Sequence, residues 1–143
     1  MIRLCTDAAF LNEILNDPAV HPWVCGANAG PIDITPVLSN PSNIALVTDH
    51  GGFIFAKIGS GVYEVHTQFK PEGRGTALAA AKEAAQFMFT YTDCIRIETM
   101  VPEVNKAARL LTERMGFTYQ GRHGVWLVNG VESPSHYFSL EKG

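Results

Sequence analysis

The chain has 143 residues, 46% hydrophobic and 17% charged, a composition that suits one folded core and excludes a disordered or fibrous protein. Its formal net charge of −3 offers no bulk positive field to hold nucleic acid, and no apolar run approaches the roughly 20 residues of a membrane helix. The opening MIRLCTDAAF has neither the basic start nor the apolar stretch of a signal peptide. The expectation is a single domain over residues 1–143, cytoplasmic, monomeric or homodimeric, with neither nucleic acid nor membrane as partner. Cys5, Cys25 and Cys94 are odd in number and far apart, and the histidines at positions 21, 50, 66, 123 and 136 are scattered. Free thiols and no metal cofactor are therefore expected.

A short strand around Ile2 to Cys5 leads to a helix that Thr6 or Asp7 caps, with Phe10, Leu11, Ile14 and Leu15 on one face. Asp17 to Asn43 is rich in Pro, Gly and Asn and reads as loops with one short helix, the kind of segment that covers a cleft. Ile44 to Thr48 and Phe53 to Ile58 are apolar runs flanking the turn residues Asp49, His50, Gly51 and Gly52, a hairpin. In the run Val62 to Phe69, residues Tyr63, Val65, Thr67 and Phe69 share one face and Glu64, His66 and Gln68 the other. Thr76 to Thr90 then follows helical spacing, with alanines that allow close approach to a sheet. Cys94 to Val101 reads as a strand, and Glu103 to about Met115 as a helix ended by Gly116. Phe117 to Leu140 reads as two strands joined near Asn129 and Gly130. This order predicts an α/β (α+β) fold with a mixed, mostly antiparallel sheet of six to seven strands flanked by helices.

The segment QFKPEGRGTALAAAKEAA places a tight loop with Gly73 and Gly75 between a strand and a helix. Backbone N–H groups turned toward one point at a helix N-terminus suit a pyrophosphate, and Lys70 and Arg74 add charge. The plainer reading is an ordinary turn. The segment matches neither the nucleoside triphosphate loop nor the dinucleotide fingerprint, where Leu78 stands in place of the third glycine.

About 30 residues on, Asn105, Ala108, Leu111, Gly116 and Phe117 complete a pattern that resembles the Gcn5-related N-acetyltransferases. Their signature is Arg/Gln-x-x-Gly-x-Gly/Ala after the fourth strand, with a later helix reading Asn-x-x-Ala, then an apolar residue, then Gly-Phe. The resemblance spans about Ile44 to Leu140, its specific part lying between Thr67 and Phe117. The ending GFTYQGRHGVWLVNGVESPSHYFSL is similar to the ribosomal-protein alanine acetyltransferase branch, and the whole to short bacteriophage-encoded members. The resemblance implies acetyl-coenzyme A as donor, held by Phe69, Lys70, Gly73, Arg74, Gly75, Thr76, Ala77 and Asn105. It also implies a primary amine as acceptor, on a protein N-terminus or a small molecule. Two departures stand out: Glu72 or Lys70 occupies the Arg/Gln position, and Thr112 stands where many relatives carry a tyrosine acid.

Direct transfer in a ternary complex is expected, because no cysteine lies in the donor loop or beside a histidine in sequence. Transfer to an amine needs a base, and Glu64 and His66 are the candidates, Glu64 requiring burial to raise its pKa. Glu98 is a weaker third. Equally, Glu64 and His66 fit a solvated sheet face, and Asn105 fits a helix cap. A degenerate family member that binds coenzyme A or a protein partner without catalysis is the alternative.

Overall fold

In the computed structural model, which describes residues 2–26 and 30–143, the apolar runs become seven strands. They are β1 (Arg3–Leu4), β2 (Ile44–Val47), β3 (Gly51–Gly59), β4 (Val62–Phe69), β5 (Arg96–Pro102), β6 (Thr118–Val128) and β7 (Val131–Glu141). One mixed sheet results, ordered β1-β2-β3-β4-β5-β7-β6. Every neighbouring pair is antiparallel except β4 and β5. The helices are α1 (Ala8–Leu15), α2 (His21–Val24), α3 (Thr35–Leu38), α4 (Ala77–Tyr91) and α5 (Lys106–Arg114), with a 3-10 turn at Pro71–Thr76 before α4.

Strand alternation divides the apolar residues between two layers. Leu46, Phe53, Phe55, Tyr63, Val65 and Ile97 face the alanines and Met88 of α4, with Leu111 and Met115 packed alongside. Ala45, Val47 and Ile54 face Leu11 of α1, with Ile34, Val37 and Leu38 around them. Leu11, Ile14 and Leu15 are at most 3% exposed. Each such side chain contributes about 1.5–3 kcal/mol by leaving water. The α1 start is fixed by Asp7, whose Oδ1 accepts from the N–H of Ala9 at 3.0 Å and of Phe10 at 3.3 Å.

Several boundaries differ from expectation for identifiable reasons. Gly51 and Gly52 belong to β3 rather than to the turn. A Cβ on Gly51 would stand 2.4 Å from the Gln68 carbonyl oxygen, so glycine is there for close strand approach. Among its described residues the segment Asp17 to Asn43 holds two four-residue helices, not one; its positions 27–29, read as loop, lie outside the described residues. Asn16 ties the segment down, its side chain bonding both the Ile32 carbonyl and the Ile32 N–H. The final hairpin turns at Asn129 and Gly130, both at positive φ (50° and 80°), the pattern of a type I′ turn. Cys5, Cys25 and Cys94 are free thiols.

Candidate functional site

The site begins where β4 and β5 part. Their parallel pairing runs only from Val62 and Arg96 to Glu64 and Glu98. Beyond it, β4 stays paired to β3 as far as Phe69, and β5 to β7 as far as Pro102. The Thr99 hydroxyl donates to the Val65 carbonyl at 3.2 Å, just past the last pair. The two-residue repeat of a strand then directs the main-chain groups of Thr67 and Phe69 to the same side as that carbonyl, toward the gap. Under the gap lies a cleft walled by Val65 and Thr67 of β4, Thr99 of β5, and Leu111, Thr112 and Met115 of α5. Thr99 was not foreseen; its only sequence signal is a polar residue on the apolar face of a strand.

The glycine-bearing segment closes one end of this gap. It is not an open loop but a 3-10 turn, in which Gly73 N–H donates to the Lys70 carbonyl at 2.9 Å and Ala77 N–H to the Arg74 carbonyl. Internal bonds of this kind occupy amide donors that an open loop would present to an anion. The two glycines differ in kind. Gly73 is buried, and a Cβ there would meet the His50 Cβ at 2.5 Å. Gly75 is exposed, with nothing within 4 Å of a Cβ. Thr76 donates its hydroxyl to the Gly73 carbonyl at 2.7 Å, and Ala77 is the buried first residue of α4. Phe69 sends its ring into the core, edge-on to Phe53 at 5.5 Å.

The cations of the segment are engaged with the α1 side. Lys70 Nζ pairs with Glu13 at 3.0 Å, and that bond raises the Lys70 pKa. Arg74 donates to the Ala19 carbonyl at 3.3 Å. Asn105 caps α5, its Oδ1 accepting from Ala108 N–H at 3.1 Å. Thr112 donates its hydroxyl to the Ala108 carbonyl at 2.8 Å, and is buried.

Glu64 and His66 lie on the opposite face of the sheet, and the structure joins them: His66 Nε2 stands 3.0 Å from Glu64 Oε1. The raised pKa that Glu64 would need to act as the base is not found. The hydrogen bond from His66 outweighs desolvation and lowers its pKa below the ordinary 4.5. An ionised carboxylate only accepts, so Nε2 carries the proton and Nδ1 is the acceptor nitrogen of the neutral ring. Glu98, paired with Glu64 across the strands, shares this face. Arg96 Nε holds its carboxylate at 2.7 Å while Arg96 also reaches Glu141 and, at 2.9 Å, the Tyr137 hydroxyl. Burial and a hydrogen bond to Glu98 raise the Tyr137 pKa. Sequence reasoning missed Arg96 and Tyr137, whose alternation with apolar neighbours is the signal that locates them on this face.

No protein-family model and no curated protein matches the sequence. Solved structures do resemble the fold. Spermidine N-acetyltransferase from Vibrio cholerae, in complex with CoA and spermine, superposes with a TM-score of 0.80 at 18% identity, over 99% of this chain and 94% of that one. A GNAT-family acetyltransferase from Bacillus anthracis gives 0.74 at 18%, over 98% and 93%. Ribosomal-protein-S5-alanine acetyltransferase from Vibrio fischeri gives 0.76 at 17%, over 98% and 91%. The architecture is that of the Gcn5-related N-acetyltransferases.

Proposed function

We propose that this chain, with the fold of the Gcn5-related N-acetyltransferases, moves an acetyl group from acetyl-coenzyme A to a primary amine by direct transfer in a ternary complex. The observation that carries the reading is the parting of β4 from β5 after Glu64 and Glu98, which leaves strand main chain facing a cleft. Such groups suit the amides of a pantetheine arm, so the cleft fits the donor. The diphosphate end would meet the N-terminus of α4 on the open side of Gly75, with Lys70 turning from Glu13 and Arg74 from the Ala19 carbonyl. Asn105 stands at the head of α5, which walls the cleft.

Acetyl-coenzyme A supplies the activated acyl group; the chain supplies position, a base and an anion-stabilising environment. His66 takes the amine proton at Nδ1, and Glu64 fixes the ring by accepting from Nε2. Because the Thr112 hydroxyl is already donated to a helix carbonyl, water protonates the departing thiolate. Both a protein N-terminus and a small amine suit the acceptor side; the S5-alanine acetyltransferase and the spermine-bound neighbour stand for the two classes.

Calorimetric titration with acetyl-coenzyme A tests the donor site: saturable 1:1 binding is expected, and no heat at millimolar donor overturns the reading. A second reading, binding without catalysis, draws support from the internal bonds of the 3-10 turn and from Thr112. Turnover with a polyamine or with an N-terminal-alanine peptide, lost in His66→Ala with donor binding retained, decides for the enzyme.

A further inference from the structure

A separate cluster of side chains sits on the α5 face of the sheet, at its β6 edge. His136 of β7 is buried, and both ring nitrogens are engaged. Nδ1 lies 2.7 Å from the Tyr119 hydroxyl, and Nε2 lies 3.1 Å from Glu103 Oε1. The Glu103 carboxylate is fixed in turn, with Arg122 donating to the same oxygen at 3.2 Å and the Glu103 N–H anchored on the Pro134 carbonyl at 2.7 Å. The hydrogen bond from His136, then the charge of Arg122, lower the Glu103 pKa below its ordinary 4.5. Glu103 is therefore an ionised acceptor at neutral pH, which places the ring proton on Nε2. When the ring is neutral, Nδ1 is the acceptor nitrogen and the Tyr119 O–H donates to it.

The strand geometry holds this order. β6 carries two bulges, between Tyr119 and Gly121 and between Arg122 and Val125, so that Tyr119 pairs with Phe138 and Arg122 with His136. Gly121 sits at φ +112°, a conformation a side chain rarely adopts. Bulges of this kind re-aim side chains. The Tyr119 ring is further set by Phe138 at 5.3 Å and His136 at 5.6 Å between centroids. Tyr119 remains 52% exposed, so reagents reach it from solvent.

We propose that Tyr119, His136 and Glu103 form a nucleophilic relay, in which the Tyr119 oxygen accepts acyl groups from activated esters. The oxygen bonds to the acyl carbon as its proton passes to His136 Nδ1. The ester oxygen departs with its bonding pair as the alkoxide or aryloxide, and the Nδ1 proton then passes to solvent. The product is an acyl-tyrosine ester. Glu103 acts through His136 and is a positioning residue. This inference goes beyond the amine transfer proposed above and does not rest on it.

The test uses the whole protein and p-nitrophenyl acetate, which carries its own acyl group and so bypasses any coenzyme A site. Brief reaction at neutral pH, acid quench and peptide mapping by mass spectrometry read acetylation at each tyrosine. Tyr91 is the internal control, because it is more exposed, at 74%. Tyr119 is expected to acetylate at least about 10²-fold faster, the lower range for a positioned base. His136→Phe is expected to bring it down to the Tyr91 rate. Glu103→Gln is expected to lower it and to shift its pH profile, as a purely structural role would not. Labelling of Tyr91 as fast as Tyr119 in the unmodified protein overturns the relay without any variant. So does undiminished Tyr119 labelling in His136→Phe.

Discussion

Replacing Gly73 and Gly75 one at a time with alanine separates packing from binding in the donor segment. At Gly73 the new Cβ would fall 2.5 Å from the Cβ of His50 and 3.4 Å from the Phe69 ring. The His50 atom is fixed to the backbone, so the turn itself must move, straining the bond from Lys70 N–H to the His50 carbonyl at 2.9 Å. Overpacking of this kind costs about 1–3 kcal/mol. With an unfolding entropy of about 2.1 cal/mol/K per residue, a chain of this length loses about 3 °C per kcal/mol, or roughly 3–10 °C in all. Gly75 has ordinary φ and empty space around a Cβ, so Gly75→Ala is expected to leave the melting temperature unchanged or raise it, by about 0.4–1 kcal/mol of stability. If the open side of Gly75 faces the donor's diphosphate, the same alanine weakens acetyl-coenzyme A binding while Gly75→Trp abolishes it. Thermal melts and calorimetry on the same samples give both readouts. A Gly73→Ala protein that melts within 1 °C of the parent, or a Gly75→Ala protein that falls as far as Gly73→Ala, refutes the reasoning.

Three further outcomes follow from the geometry. Glu64→Gln removes the carboxylate that orients His66 and is expected to lower kcat about 10-fold or more with donor affinity unchanged, His66→Ala losing about 10² to 10⁴; steady-state kinetics with calorimetry distinguish the two. Because the Glu64 pKa is lowered in the folded chain, its contribution is fully present above the ordinary value of 4.5 and is lost as pH falls through the lower folded value. Denaturant titrations between pH 6 and about 3 should show a smaller loss of stability in Glu64→Gln than in the parent. Tyr63, desolvated and donating to Asp93 Oδ1 at 2.7 Å, has its pKa pushed up to about 12; ultraviolet titration should find one phenol that ionises near there, earlier in Asp93→Asn.

The sheet was largely legible in the sequence because strand alternation reports burial directly. Tyr63, Val65 and Phe69 did reach the apolar core while Glu64 and His66 faced away. Asp7 and Asn105 were legible as caps, because the chemistry of a cap is local. What stayed hidden depends on partners distant in sequence. Nothing near Gly51 announces that the Gln68 carbonyl will press on it, so two strand glycines read as a turn. Lys70 looked like a free phosphate cation, yet Glu13, 57 residues earlier, claims it. Glu64 and His66 stood as rival bases in the sequence; only side-chain geometry shows them sharing one hydrogen bond, with opposite roles. Tyr119 and His136 lie 17 residues apart on bulged strands, where no simple period predicts their meeting.

The short parallel contact also divides the sheet mechanically. On one side β1 to β4 form a ladder of sequence neighbours; on the other, β5, β7 and β6 form a second, and strand pairing between the two is confined to three register pairs from Val62 to Glu64, with the Thr99 hydroxyl on the Val65 carbonyl just beyond. Such a seam is where a sheet opens below the cost of global unfolding, so amide exchange at Val65 to Phe69 and at Thr99 to Val101 should run faster than at the ladder interiors. A molecule that lays its own amides between the two ladders would act as the missing strand. It would convert two loosely joined cooperative units into one, and stabilise both in proportion to its occupancy.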